Sequence, residues 1–211
     1  MNTEAKLSTG LRERKKLATR RALSWAALRL AAERGLENVR VEDISAEADV
    51  SPRTFNNYFS NKEEAIVALA AERAARIGAE LRARPAGEAL SRALSEVFVQ
   101  QYAGPAEPNK EWVTQIRLAA STPGLHGEYL KALVRCERSL AEVIAERTGT
   151  DVARDLYPCV LAASVFSASR VAVQYWLSSS NKTSLANVLR QAIEQVVSGT
   201  QQLTSGGGEL K

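Results

Sequence analysis

The sequence predicts an all-α protein, and three observations carry that expectation. Apolar residues recur at spacings of three and four along most of the chain. Helix start and stop signals punctuate those runs, with Ser or Thr before them and Gly or Pro after. No alternating strand pattern bounded by turns occurs anywhere. The expected layout is a small N-terminal unit of three helices, joined by a long helix to a larger helical domain.

Residues 1–10, MNTEAKLSTG, are polar and unpatterned and read as a disordered arm. They lack an apolar signal core, so export is not expected. A helix follows over 11–34, with Leu23, Ala26, Ala27 and Leu30 as its apolar stripe. Gly35 ends it as a left-handed residue. Val41, Ile44 and Ala48 mark a second, short helix, and Ala48-Asp49-Val50 a tight turn. Aspartate tolerates the left-handed conformation such a turn needs. Residues 52–58 form the third helix, with Ser51 as N-cap and Pro52 at the first helical position. Ser60 and Glu63 form a capping-box pattern that opens a helix over 62–84, and Pro85 stops it.

Five more helices are expected, over 86–103, 109–120, 124–147, 151–179 and 183–198. The breaks are GPAEPN, STPG, Thr148-Gly149-Thr150 and SSSNK. Pro158 either kinks its helix or marks its true start. The domains are then an arm (1–10), a first domain (11–61), a second domain (62–198, with 62–84 as connector) and a flexible tail (199–211).

Composition bounds the function. The chain has 211 residues, 45% hydrophobic and 25% charged, as in ordinary soluble globular proteins. We find no apolar run of about 18 residues, so no membrane span is expected. Cys136 and Cys159 are too few for a disulfide framework and read as reduced, mostly buried thiols in a cytoplasm. His126 is the only histidine. One histidine with scattered serines makes no triad, no metal-ligand cluster exists, and no glycine-rich phosphate loop follows a strand. An enzyme is therefore not expected, and no cofactor is implied.

Charge points to a polyanion. Residues 1–62 hold twelve basic and eight acidic side chains, so the whole net charge of +4 lies there. Residues 11–21, LRERKKLATRR, carry six basic side chains and one acidic. Such a run alone is often only a solvated helix face. Beside a short exposed helix it gains another meaning, because cations near a duplex release its counterions.

That short helix lies in SPRTFNNYFSNK, residues 51–62. It is too short to be stable alone and must be held from behind, for which Phe55, Tyr58 and Phe59 are suited. The groups left outward are Arg53, Thr54, Asn56 and Asn57. A cation, a hydroxyl and two amides hydrogen-bond phosphates and base edges. Tyr58 also suits the core, and Asn57 also suits a cap.

The order Thr19-Arg20-x-x-Leu23, Ala26-Ala27, Leu30, Gly35, Val41-x-x-Ile44, Ala48-x-Val50-Ser51-x-x-Thr54, Tyr58-Phe59 and Lys62 resembles the N-terminal domain of TetR-family transcriptional regulators. The match spans about residues 14–66. Beyond it, the chain is similar to the family in length and all-helical layout. The resemblance implies a helix-turn-helix domain that binds double-stranded operator DNA, in a homodimer whose C-terminal domain binds a small effector. It implies phosphate contacts from Thr54, Tyr58 and Lys62, and base recognition by Arg53, Asn56 and Asn57. Arg20, Ser51 and Pro52 are counted as DNA-binding residues with them. The implied location is the cytoplasm, at the nucleoid, without a membrane.

Three departures from the family pattern stand out. Asn56 replaces a residue that is commonly aromatic, which exchanges a phosphate contact for a base contact. Arg40 stands where a Ser or Thr usually caps the second helix, so that helix starts differently or Arg40 meets the DNA backbone. Asp49 replaces the usual Gly.

The second domain says less. Phe98, Tyr102, Trp112, Ile116, Tyr129, Phe166, Arg170 and Trp176 are candidate pocket residues, although residues of the apolar kind more often serve as plain core. Trp112 and Ile116 share a helix face. Arg170 sits in an otherwise apolar helix, where a buried cation would need a partner. The segment 170–177 resembles the matching helix of an actinobacterial subgroup with acyl-CoA-like ligands, which implies an apolar, acyl-type effector. Small residues (Ala162, Ala163, Ser164, Ser167, Ala168, Ser169) suit close helix approach. Helices near 151–179 and 183–198 would form the dimer interface or an internal bundle. The rival to a DNA-binding repressor is a helical adaptor that binds only protein, which would leave the basic first 62 residues unexplained.

Overall fold

The computed structural model describes residues 3–103, 113, 114, 117, 118, 122–179 and 183–205, with side chains from 12 to 199. Helix α1 spans Thr3–Arg34, α2 Val41–Glu47, α3 Pro52–Asn56 and α4 Lys62–Ala83. Then come α5 Leu90–Tyr102, α6 Pro123–Thr148, α7 Leu156–Ser178 and α8 Leu185–Ser205. The described residues contain no strand. The expected helix over 109–120 lies largely outside them.

The chain forms two compact units, Met1–Ala71 with Lys110–Ala132, and Glu72–Asn109 with Leu133–Lys211. The core of the first is built from Leu23, Ala27, Leu30, Ile44, Phe55, Phe59, Ile66 and Leu125. The core of the second holds Ile77, Leu81, Leu94, Phe98, Leu140, Ile144, Leu161 and Ile193. The apolar stripe Leu23, Ala26, Ala27 and Leu30 is buried, as its spacing requires.

Local signals set the element ends, with some differences from expectation. The segment read as an arm is helical from Thr3, since nothing in TEAKLSTG forbids a helix as a proline would. Gly35 does take a positive φ of 81°, but its ψ of 145° puts it outside the left-handed helical region and into one that glycine alone enters readily. A short 3-10 turn, Leu36–Asn38, follows it. Asp49 has φ 53°, as the tight turn demands. Arg40 precedes α2 in extended conformation, and its N–H donates to Asp43 Oδ2 at 3.0 Å. An arginine side chain has no acceptor, so the reciprocal bond of a full capping box is absent.

α4 starts at Lys62 as expected, but its cap is Asn61 rather than Ser60. Asn61 Oδ1 accepts the Glu64 N–H at 2.6 Å, and Glu64 Oε2 accepts the Ser60 N–H at 2.9 Å. Asparagine caps as well as serine, and here Asn61 is the cap while the Glu64 carboxylate reaches one residue further back, to Ser60. At its other end, the Arg147 guanidinium donates to the carbonyls of Leu81, Arg84 and Pro85 at 2.9–3.2 Å. The Leu81 and Pro85 carbonyls also accept the Arg84 and Glu88 N–H groups, so the guanidinium adds to the turn that already closes this helix end. Pro158 proves to mark a true start, in the first turn of α7 after Asp155.

α7 corrects the expectation about apolar runs. It is long and apolar enough to cross a membrane by length and composition alone. One side of it (Leu161, Ala162, Val165, Phe166, Ser169, Ala172, Val173) is nevertheless buried inside the second unit. The other side leaves Leu156, Val160, Val171 and Tyr175 exposed. Cys159 shares that exposure, whereas Cys136 is buried and burial pushes its thiol pKa up. Only Cys136 therefore matches the expectation of a buried thiol.

Candidate functional site

α3 is five residues long and cannot persist unaided. Three devices hold it. Ser51 Oγ accepts the Thr54 N–H at 3.1 Å, and the Ser51 and Thr54 hydroxyls share a 3.0 Å hydrogen bond. Pro52 occupies a position where no N–H is missed. Phe55 and Phe59 are 0% and 2% exposed, with ring centroids 5.7 Å apart. The helix ends at Asn56, two residues before the expected end; Asn57 caps it and the Tyr58 N–H already turns to the Phe55 carbonyl at 2.8 Å.

This seating decides what faces outward. Arg53, Asn56 and Asn57 are exposed, as are Ser51 and Pro52. The side chains of Arg53, Asn56 and Asn57 have no hydrogen-bond or ion-pair partner among the described residues. One side of a short helix thus offers a forked donor and two amides, each able to donate and accept. Thr54 and Tyr58 are half-buried beside them. Arg20, from α1, lays its guanidinium over the Phe59 ring at 4.7 Å from the centroid. A guanidinium stacked on a ring keeps its edge N–H groups available to an anion.

Lys62 carries more than its position in the sequence discloses. Its Nζ donates to the Leu36 carbonyl at 2.6 Å and the Val39 carbonyl at 2.8 Å. Two of its three N–H donors therefore join the start of α4 to the turn after α1. One donor remains. No spacing rule signals such a bond, because the partners are carbonyls 23 and 26 residues away.

In the second unit the structure brings together three of the candidate pocket residues. Phe98 stacks on Tyr102 at 5.9 Å and meets the edge of Phe166 at 5.3 Å. Phe98 and Phe166 are buried and Tyr102 half-buried. Trp176 is half-buried further along α7. Tyr129 packs instead against the core of the first unit. Arg170 is exposed and, among the described residues, donates to Gln174, so it needs no buried counter-charge. Trp112 and Ile116 lie outside the described residues.

Two buried polar atoms of the second unit were not among the residues the sequence singled out. Ser95 Oγ and Glu80 Oε2 are buried with no hydrogen-bond partner. Ser95, Phe98 and Tyr102 share one face of α5 by their spacing of three and four. The other Glu80 oxygen accepts from Gln101. Unpaired buried polar atoms are costly and call for an explanation, such as a ligand that supplies the missing partner. No sequence pattern singles them out: Glu80 has Arg73, Arg76 and Arg84 at helical spacing, and Ser95 is one of several small residues on α5.

Comparisons with known proteins show the family and the fold. Residues 25–69 match the family model described as bacterial regulatory proteins, tetR family. Residues 84–201 match a model described as the MftR C-terminal domain. The chain is 36% identical to the HTH-type transcriptional regulator TcmR of Streptomyces glaucescens over 174 residues, which is 79% of this chain and 76% of that one. Its fold resembles a TetR-family regulator from Syntrophomonas wolfei, with TM-score 0.58 and 20% identity over 93% of this chain and 100% of the other. It also resembles Thermus thermophilus FadR, solved with lauroyl-CoA, with TM-score 0.56 and 20% identity over 91% and 96% of the two chains.

Proposed function

The chain belongs to the TetR family of DNA-binding transcriptional regulators, and we propose that it acts as a homodimeric repressor of a palindromic operator, released by a small, largely apolar effector. The observation that carries this reading is the seating of α3. Phe55 and Phe59 are buried, while Arg53, Asn56 and Asn57 are exposed and unpartnered. That outward set has the chemistry to read bases: Arg to guanine, Asn to adenine. Thr54, Tyr58, Arg20 and the remaining Lys62 donor would meet phosphates. Ser51 and Pro52 would border the same surface. Asn56, where the family is commonly aromatic, would give the operator its particular sequence.

The apolar side of α7 left open by Leu156, Val160, Val171 and Tyr175 supports a dimer through α7 and α8. Two identical reading helices related by a two-fold axis require a palindrome. The effector would contact Phe98, Tyr102 and Phe166 with an apolar body and give a donor to Ser95 or Glu80. An acyl or acyl-CoA-like compound is one such body, on the resemblance of residues 170–177. Effector and operator would weaken each other by the same factor. The site of action would be the cytoplasm, at the nucleoid.

The test is selection of bound duplexes from a random-sequence pool, followed by a salt titration of the winner. A palindromic winner is expected, with log affinity falling by about 0.9 per phosphate contact for each log unit of salt. A flat salt dependence, or no enrichment, sinks the repressor reading in favour of a protein-only adaptor.

A further inference from the structure

A cleft of about 650 Å³ opens within the first unit, between α1 and the turn that leads into α3. Its volume falls in the range of pockets that take small organic molecules, roughly 300–1,000 Å³. The cleft is lined by Trp25, Leu28, Arg29 and Glu33 of α1, by Glu47 and Asp49 of the α2 end and its turn, and by Thr114. The α1 residues fall on one side because they recur at three and four. Ala22 and Ala32 leave the room beside Trp25 that larger side chains would fill.

Two features of the lining are unusual. Trp25 is 39% exposed, although the helix around it buries Leu23, Ala26, Ala27 and Leu28. An indole combines a large apolar face with one N–H donor, and here it borders a concave space instead of standing alone on a convex surface. The charge of the lining also has the wrong sign for its surroundings. Three carboxylates face one guanidinium in the cleft, while residues 1–62 as a whole carry net +4. The single guanidinium is already used, since Arg29 pairs with Glu47. Glu33 and Asp49 keep no partner among the described residues. A phosphate backbone would be repelled here, so the cleft is not an extension of the DNA surface.

We propose that this cleft is a second small-molecule site, distinct from the ring cluster of the second unit, and that it takes an amphiphilic organic cation. Trp25 would lie against the cation and its aromatic or alkyl body, since indole offers the strongest cation–π face among side chains. Glu33 and Asp49 would supply the counter-charge. Leu28, 2% exposed, is the apolar floor. The proposal rests on the lining alone and stands or falls independently of operator or effector binding.

Tetraphenylphosphonium and tetraphenylborate have the same shape and opposite charge, so they separate charge from bulk. Each is titrated calorimetrically into the full chain without DNA. The cation is expected to bind about tenfold or more tightly than the anion, the equivalent of one well-placed cation–π or ionic contact. Trp25→Ala is expected to weaken the cation about tenfold, and Glu33→Gln with Asp49→Asn about threefold or more. Both acidic positions are exposed, and Asn tolerates the φ of Asp49, so that double variant keeps the fold if Trp25→Ala does not. Equal binding of the two ions overturns the proposal. So does cation binding unchanged in either variant, which would move the site elsewhere, or no binding of the cation.

Discussion

In the first unit Arg53, Asn56 and Asn57 stand exposed on a helix of five residues, whereas in the second Phe98, Phe166 and the unpaired Ser95 Oγ are buried. The first unit fixes its reading surface with caps and a two-ring plug, both read from neighbours in sequence. The second assembles its candidate pocket from α5 and α7, whose contacting rings Phe98 and Phe166 are 68 positions apart. An outward surface made by a short helix can change one residue at a time without disturbing a core. An inward one cannot, because every lining residue is also a packing residue. On the proposed function, recognition of DNA would be tuned by substitution on α3, and recognition of an effector by repacking.

Truncating the buried rings is the strongest test of that contrast. Phe55→Ala should cost about 3–5 kcal/mol of stability in the first unit and abolish DNA binding, since α3 loses its seat. Phe98→Ala should cost a similar amount if its cluster is packed core. Chemical denaturation of both variants checks this. A cost below about 1 kcal/mol at Phe98 would mean the rings surround ligand-sized space, and the contrast between the units would widen.

The next effect is at Lys62. Lys62→Met keeps the apolar stem and removes the ammonium that joins Leu36 and Val39. Loss of stability by about 1.5–3 kcal/mol is expected, from two charge-assisted hydrogen bonds. Binding should also lose about one unit of salt slope if the third donor meets a phosphate. Unchanged slope with lowered stability would make Lys62 a purely internal brace.

Arg53→Ala should leave stability unchanged, because the side chain is exposed and unpartnered. On the selected operator it should cost about 1–3 kcal/mol and relax preference at one base pair. Affinity falling equally on all sequences would reassign Arg53 to the phosphates.

The smallest effect belongs to acid. Hydrogen bonds from Arg84, Arg190 and Arg82 hold the carboxyls of Glu88, Glu96 and Glu146 below the ordinary carboxylate range. A depressed carboxyl stabilises the folded state above its unfolded value and loses that as pH falls through the folded one. The second unit should therefore weaken below about pH 4, and only slightly, because these pairs are near the surface. Melting followed by circular dichroism between neutral and acid pH checks it, and a second unit as stable in acid would remove these pairs from its support.

Much of this protein was legible before any coordinates. Ser51, Pro52, Phe55 and Phe59 gave α3 its cap, its first residue and its plug, because caps and helix faces involve residues within four of one another. Asp49 announced its own left-handed turn, and Pro85 and Pro158 their helix ends, for the same local reason. Misplacing the α4 cap by one residue shows the limit of pattern, since Ser60 and Asn61 are both good caps and only the folded backbone chose between them. The tertiary structure alone decided that residues 110–132 join the first unit, with Leu125 in its core and Asn61 within 3.4 Å of Glu128. It alone assigned Lys62 to two carbonyls, gathered Phe98 with Phe166, and left Trp25 facing a cleft. Periodicity states that a helix face is apolar but not which distant face covers it, and that choice is made by the packing of the whole chain.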